Sequence, residues 1–156
     1  MNETTPALSQ ERTAAARSLA RALETDSADL AAVLLEMLDR VDVLLAIKDV
    51  ATGRYLHVNP AMAALFGRSP EAMLGATDTD LMEPAQAAAM RAAEQTALAH
   101  DAPALSDHKI DRDGRKREFN VTRLALPGAG GGAARNVLCV WADRTATQQR
   151  EQQLQQ

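Results

Sequence analysis

Apolar residues recur at helical spacing through the first quarter of the chain. Residues 1–10 are polar, and we expect them to be disordered. Residues 11–41 predict one or two N-terminal flanking helices. Beyond a break at residues 25–27, four apolar side chains recur at alternating spacings of four and three, as in a short coiled coil. This stripe either packs on the outer face of the chain's own sheet or pairs with a second chain; it consists of Leu30, Leu34, Met37 and Val41.

From residue 42 onward the pattern changes to short apolar segments separated by turns. A longer, Ala-rich helix is predicted between the second and third of these segments, at residues 83–100. Five strands with helices inserted after the second predict an α+β domain, in which the helices cover one face of an antiparallel sheet. The first two predicted strands end at Asp49 and Val58. The other three span residues 105–110, 116–126 and 136–142.

A dense set of turn and helix signals lies between Ile47 and Leu81. Asn59 is a good N-cap because its side-chain oxygen accepts a backbone N–H, and Pro60 has no N–H to leave unpaired at the first helical position. Gly67 then ends this short helix. The ordered runs D-x-x-x-G-x-x-x-x-V-N-P-A, F-G-R-S-P-E-A-M-L-G and T-D-T-D-L resemble the first half of the PAS family, the sensory domains of bacterial signalling proteins.

The resemblance covers residues 43–145 and implies a PAS domain at residues 42–143. The run Asp143, Arg144, Thr145 is similar to the D-I-T motif through which PAS domains lead into an output helix. Residues 144–156 are therefore expected to begin a signalling helix that continues into an absent effector domain. By resemblance that effector would be a histidine kinase, an enzyme that makes or degrades cyclic-di-GMP, or a DNA-binding domain.

The resemblance also implies a ligand pocket between the sheet and the inserted helices. Two of its residues, Lys48 and Arg123, are cations, and a buried charge is costly unless it is paired. Internal salt bridges to Asp78 and Asp80 would close the cavity; alternatively, an anionic ligand such as a carboxylate would neutralise the cations. The positions carried over from the family are Ala46, Lys48, Val58, Met62, Phe66, Phe119, Val121, Arg123, Cys139 and Trp141.

Composition narrows the function classes. The 17 basic and 21 acidic residues give a net charge of −4, and the one basic cluster, residues 112–117, flanks a turn, so we expect no nucleic-acid partner. The single cysteine, Cys139, fits a reducing compartment. With no apolar run long enough to span a membrane and no signal-peptide pattern, the sequence predicts a cytoplasmic protein without a membrane partner.

No catalytic or metal-binding motif stands out, so we expect no enzymatic activity and no metal site in this chain. Flavin-binding PAS photoreceptors place a reactive Cys after the short helices, where residues 76–81 read A-T-D-T-D-L. Haem-binding PAS domains use a His on the long helix, whose middle is here Ala-rich, and His100 lies only at its end. The resemblance therefore argues against flavin and haem. His57 and His108 are interpreted as surface residues.

Two functions follow from these observations. The first is a cytoplasmic sensory module that binds a small, in one interpretation anionic, ligand and relays a conformational change to an output domain as a homodimer. The second is a ligand-free dimerisation or interaction module, whose interior is filled by its own side chains. A side-chain-filled interior favours the second, and a cavity beside Arg123 favours the first.

Overall fold

The computed structural model describes residues 10–100, 103–128 and 132–156. The segment predicted to be disordered lies outside these ranges, apart from Gln10, which begins the first helix. The elements within the described ranges are α1 (Gln10–Ala22), α2 (Ser27–Arg40), β1 (Leu44–Asp49), β2 (Tyr55–Val58), α3 (Pro60–Leu65), α4 (Pro70–Met73), α5 (Asp78–Leu81), α6 (Pro84–Ala99), β3 (Ala104–Arg112), β4 (Arg115–Leu126), β5 (Asn136–Asp143) and α7 (Thr145–Leu154).

The five strands form one antiparallel sheet in the order β2-β1-β5-β4-β3. The last strand in sequence, β5, therefore lies at the centre. Cys139 on β5 pairs with Ala46 on one side and with Arg123 on the other. Helices α3 to α6 are inserted between β2 and β3, and the predicted α+β class is confirmed.

Asn59 joins three elements through one buried side chain. As the N-cap of α3, its Oδ1 accepts the backbone N–H of Met62 at 3.0 Å and that of Leu45 at 3.0 Å. Its amide nitrogen donates to Val43 O at 2.9 Å and to Asp39 Oδ1 at 3.0 Å. Because a buried amide is costly unless it is hydrogen-bonded, these contacts fix α2, β1 and α3 relative to one another.

A β-bulge changes which side chains of β2 face the core. The register shifts between Ile47 and Lys48, and Lys48 pairs with Tyr55 across the bulge. Tyr55 and Val58 are both buried although they are three residues apart, whereas Leu56 is exposed. Strict alternation from Val58 would place Leu56 inside, so the bulge turns Tyr55 into the core instead.

Helices α1 and α2 expose most of their apolar side chains. Leu34, Met37 and Val41 of the predicted stripe are 56%, 55% and 58% exposed, and Leu30 is half-buried. Helix α2 contacts the sheet at β1. In the single chain, therefore, its own sheet covers only part of the stripe. None of the described helices is long and apolar enough to cross a bilayer.

Candidate functional site

Lys48 holds a buried ammonium group between two carboxylates. Its side chain is 4% exposed, and Nζ donates to Asp78 Oδ2 at 2.7 Å and to Glu94 Oε1. The Tyr55 hydroxyl donates to the other Asp78 oxygen at 2.6 Å. We call Lys48, Asp78 and Glu94 the Lys48 cluster; it joins β1, α5 and α6. With all three groups charged, the cluster carries one net negative charge.

The protonation states of this region follow from burial and the carboxylates. Burial alone would lower the pKa of Lys48, but Asp78 and Glu94 outweigh burial and raise the pKa above its ordinary value. Burial and then the charge of Asp78 raise the pKa of Tyr55 well above its ordinary value. Both groups therefore stay protonated at neutral pH and act as hydrogen-bond donors to Asp78.

Arg123 is a second buried cation, but its partners are neutral. The residue is 1% exposed, and Nη1 donates to Ser106 Oγ at 2.5 Å. Nη2 lies 3.3 Å from Met90 Sδ and 3.4 Å from His108 Nε2. Among the described residues, Nε has no hydrogen-bond partner and no carboxylate lies within salt-bridge distance of the guanidinium.

Cys139 lies between the two cations. Burial is the main cause that raises the pKa of its thiol to about 12, and the charges of Arg123, Glu94, Lys48 and Asp78 all act on it. Arg123 and Lys48 act to lower the pKa of the thiol, whereas Glu94 and Asp78 act to raise it, so charges of both signs influence this part of the core.

Two cavities meet at the Lys48 cluster. The inner void, of about 10 Å³, also borders Arg123 and Trp141 and has room for about one water molecule. The outer groove, of about 480 Å³, lies between α6, the β1–β2 turn and the start of α5. The three residues of the cluster line both cavities, so the cluster is the wall between them.

The outer groove is mainly apolar and ends on charged groups. Its volume is within the range of small-molecule sites. Ala87 and Ala88 present only methyl groups from α6, which leaves space that longer side chains would fill. Val50 and Leu98 add apolar surface, and the exposed Arg91 also lines the groove.

The end of β5 is clamped to β4 by side-chain and backbone contacts. Asp143 Oδ2 forms an ion pair with Arg117 Nη2 at 2.9 Å, and Asp143 Oδ1 accepts the Thr145 N–H at 2.8 Å. The Thr145 hydroxyl accepts the Glu118 N–H at 2.9 Å, and the Arg144 N–H donates to Glu118 O at 2.7 Å. Burial would raise the pKa of Asp143, but its hydrogen bonds to Thr145 and Arg117 together outweigh burial and lower the pKa below its ordinary value.

A family model described as the PAS fold matches residues 38–149. The chain belongs to the PAS family. No curated protein matches the sequence. The PAS domain of a protein from Colwellia psychrerythraea is 16% identical with a TM-score of 0.62, and the match covers 75% of this chain and 98% of that one.

Two further solved structures place the same fold in signalling proteins. A sensory box histidine kinase/response regulator from Burkholderia thailandensis is 18% identical with a TM-score of 0.57, covering 78% of this chain and 92% of that one. The Vibrio cholerae VqmA dimer is 19% identical with a TM-score of 0.61, covering 72% of this chain and 52% of that one. PAS domains of this fold thus act as sensory modules in kinases and receptors, and this PAS domain spans about half of VqmA.

The ten positions carried over from the PAS family are all buried. Five of them, together with Asp78, border the inner void: Ala46, Lys48, Arg123, Cys139 and Trp141. The other five pack in the hydrophobic core instead: Val58, Met62, Phe66, Phe119 and Val121. Contact between a ligand and any of these ten residues stays a prediction.

Two interpretations of polar residues are wrong. Asp80 is not an internal salt-bridge partner: it is exposed, and its carboxylate accepts the Thr77 N–H at 2.9 Å in the capping box of α5. His108 is not a surface residue: it is half-buried, its Nε2 lies 2.7 Å from Ser106 Oγ, and its ring stacks on Trp141. Burial and then the charge of Arg123 lower the pKa of His108.

Three polar residues of the site went unrecognised in the sequence. Ser106 shares a face of β3 with the buried Ile110, so strand alternation could have predicted that its side chain points inward. Tyr55 reaches the core through the bulge, which the sequence does not reveal. Glu94 lies on α6 four residues after the buried Met90, the spacing of one helix face, but nothing local indicates its pairing with Lys48.

Proposed function

We propose that this PAS domain is the cytoplasmic sensory module of a larger signalling protein, and that a small molecule binds in the outer groove. The observation that carries the proposal is a groove of about 480 Å³ whose inner end is the Lys48 cluster. The inner void, of about 10 Å³, leaves no room for a carboxylate ligand beside Arg123. The groove is therefore the proposed site, rather than the space beside Arg123 that the sequence suggested.

The central strand offers a path from the groove to the output helix. The Lys48 cluster shares the inner void with Trp141 on β5. The indole packs against Phe119 and Phe66 with ring centroids 5.4 Å and 6.4 Å apart, and it lies two residues before Asp143. A change at the cluster would reach the clamp around Asp143 and Thr145, and so the start of α7. Couplings of this type typically amount to about 1–3 kcal/mol.

We also propose that the module works as a homodimer through α1 and α2. The support is the exposed apolar stripe, which includes Leu34, Met37 and Val41. Vibrio cholerae VqmA, of similar fold, is described as a dimer with a target DNA, and VqmA has also been solved bound to DPO. By analogy, the output domain of the present protein would be a kinase, an enzyme of cyclic-di-GMP metabolism or a DNA-binding domain.

A ligand-free dimerisation module is the second candidate. The side-chain-filled interior favours it, because the inner void holds no more than about one water molecule. In this function the outer groove would remain empty in the cell, and the exposed stripe on α2 would carry the activity of the domain.

Native mass spectrometry under gentle and then denaturing conditions tests the proposal. We expect a dimer that carries a small additional mass, released on denaturation. Ala88→Leu fills the groove and should remove this mass, whereas Ala89→Leu, an exposed position outside the groove lining, should retain it. A dimer without additional mass, which also gains no thermal stability from any member of a metabolite library, would favour the ligand-free module.

A further inference from the structure

We propose that the outer groove selects a ligand with a protonated amine on an apolar body, and that Glu94 binds the amine. This inference rests on the proposed function, because it names the ligand class of the same groove. It differs from the anionic ligand that the two buried cations suggest in the sequence.

The free hydrogen-bonding capacity of the cluster points to Glu94. Both carboxylate oxygens of Asp78 are occupied, one by Tyr55 and one by Lys48. Glu94 Oε1 accepts from Lys48, but Oε2 receives no hydrogen bond from the part of the chain that the structure describes. The Glu94 side chain is 16% exposed and lines the groove, so a carboxylate oxygen remains available to a donor.

The charges at the inner end of the groove favour a cation over an anion. Lys48 also lines the groove, but its charge is already compensated by the two carboxylates of Asp78 and Glu94, which leaves little attraction for an anion. An ammonium group would meet a cluster with one net negative charge, whose side chains are at most 16% exposed, so that screening is weaker than in water. Arg91 also lines the groove, but it is exposed and its charge is more strongly screened.

The walls of the groove define the rest of the ligand. Ala87 and Ala88 leave space along α6, and Val50, Leu98 and Val137 provide apolar contact. A small aromatic or aliphatic body would displace water from these surfaces, which gives similar affinity to cationic and anionic ligands. Recognition of the amine then depends on Glu94, and the two contributions can be separated by mutation.

Two probes of similar size test the selectivity: 2-phenylethylamine and phenylacetate, titrated by calorimetry into the purified domain. We expect the amine to bind at least about tenfold more tightly, because its ammonium group can donate a charge-assisted hydrogen bond to Glu94 that phenylacetate cannot make. Glu94→Gln should lower the affinity for the amine by about tenfold or more and leave the affinity for phenylacetate equal or higher. Glu71→Gln, an exposed acidic position on α4, is the matched control and should change neither.

The outcomes separate this inference from the proposed function. If Ala88→Leu abolishes binding of the amine but Glu94→Gln binds it as well as the wild type, the groove stands and the role of Glu94 is wrong. If Ala88→Leu changes nothing, the groove itself is wrong. Tighter binding of phenylacetate, or no binding of either probe at millimolar concentration, also overturns the inference.

A second measurement covers the case in which Glu94→Gln weakens folding. In the wild type, backbone NMR shifts induced by 2-phenylethylamine should be largest on α6 near Glu94 and around Asp78. Shifts confined to α1, α2 or β3 would contradict the assignment without depending on any variant.

Discussion

Lys48 and Arg123 are two buried cations on one face of the same sheet, yet their surroundings are opposite. Lys48 is held by two carboxylates. The hydrogen-bonding partners of Arg123 are a hydroxyl, a thioether and an imidazole, and its Nε is without a partner among the described residues. Cys139 separates the two on the central strand. A buried cation can thus either belong to an ion cluster or lack a counter-ion in direct contact.

The difference shows that burial of a charge does not indicate what the charge contributes. Removal of Lys48 would leave two carboxylates close together with no cation between them. Removal of Arg123 would leave only neutral groups and would end the desolvation cost of the guanidinium. We therefore interpret Lys48 as structural, and we interpret Arg123 as a charge that the fold tolerates. Substitutions at the two sites can break or sharpen this contrast.

Lys48→Met should have the largest effect. We expect a loss of about 3–5 kcal/mol in the free energy of unfolding, because Asp78 and Glu94 would remain buried without their cation. Urea denaturation measures the loss. The triple variant Lys48→Met, Asp78→Asn, Glu94→Gln, in which the cluster is neutral, should recover most of it. A stability for Lys48→Met within about 1 kcal/mol of the wild type would contradict the structural role.

Ser106→Ala should cost less, about 1–3 kcal/mol, because it removes a hydrogen-bond acceptor from a buried charged donor. In an Arg123→Met background the same substitution should cost far less, since no guanidinium is left unpaired. Urea denaturation of the four proteins in this double-mutant cycle gives the coupling between Ser106 and Arg123. Equal costs in both backgrounds would show that the short contact between them contributes nothing.

The sequence was sufficient for the fold because its main signals are local. The N-cap at Asn59, the turn at Gly53 and the alternation of β4 each depend on neighbouring residues, and together they specify the order of elements. The site depends on longer distances. Lys48 and Glu94 are 46 positions apart in the chain, and no local pattern pairs them.

Two details explain what the sequence could not reveal at individual residues. Asp80 occupies the third position of the short helix α5, where its carboxylate accepts the backbone N–H of the N-cap residue Thr77. This local hydrogen bond forms in place of an ion pair with a distant cation. The bulge at Lys48 brings Tyr55 into the core and leaves Leu56 outside. A bulge adds one residue to a strand without a distinct sequence signal here, so side-chain direction beyond it could not be predicted.

Arg123→Met alone should change stability by no more than about 1 kcal/mol, or increase it, because the variant replaces an unpaired buried cation by an apolar side chain of similar length. Urea denaturation beside Lys48→Met gives the direct comparison of the two cations. A loss as large as that of Lys48→Met would show that the separated negative charge of the Lys48 cluster holds Arg123 as firmly as a direct ion pair.

The smallest expected effect is a dependence of stability on pH that originates at His108. Burial, and then the charge of Arg123, lower the pKa of His108 below its ordinary value of 6.5. Below pH 6.5, therefore, the unfolded chain binds a proton at His108 that the folded chain does not readily accept. The contribution of His108 to stability is present above that pH and is lost as the pH falls through the folded pKa. The melting temperature should fall between about pH 7.5 and pH 5.5.

His108→Gln should show a smaller fall in melting temperature over this pH range, because glutamine does not titrate. Arg123→Met should lie between the two, since it removes the second cause of the lowered pKa but not the first. Equal falls in all three proteins would place the pH dependence elsewhere and would show that the unpaired cation does not influence its neighbours.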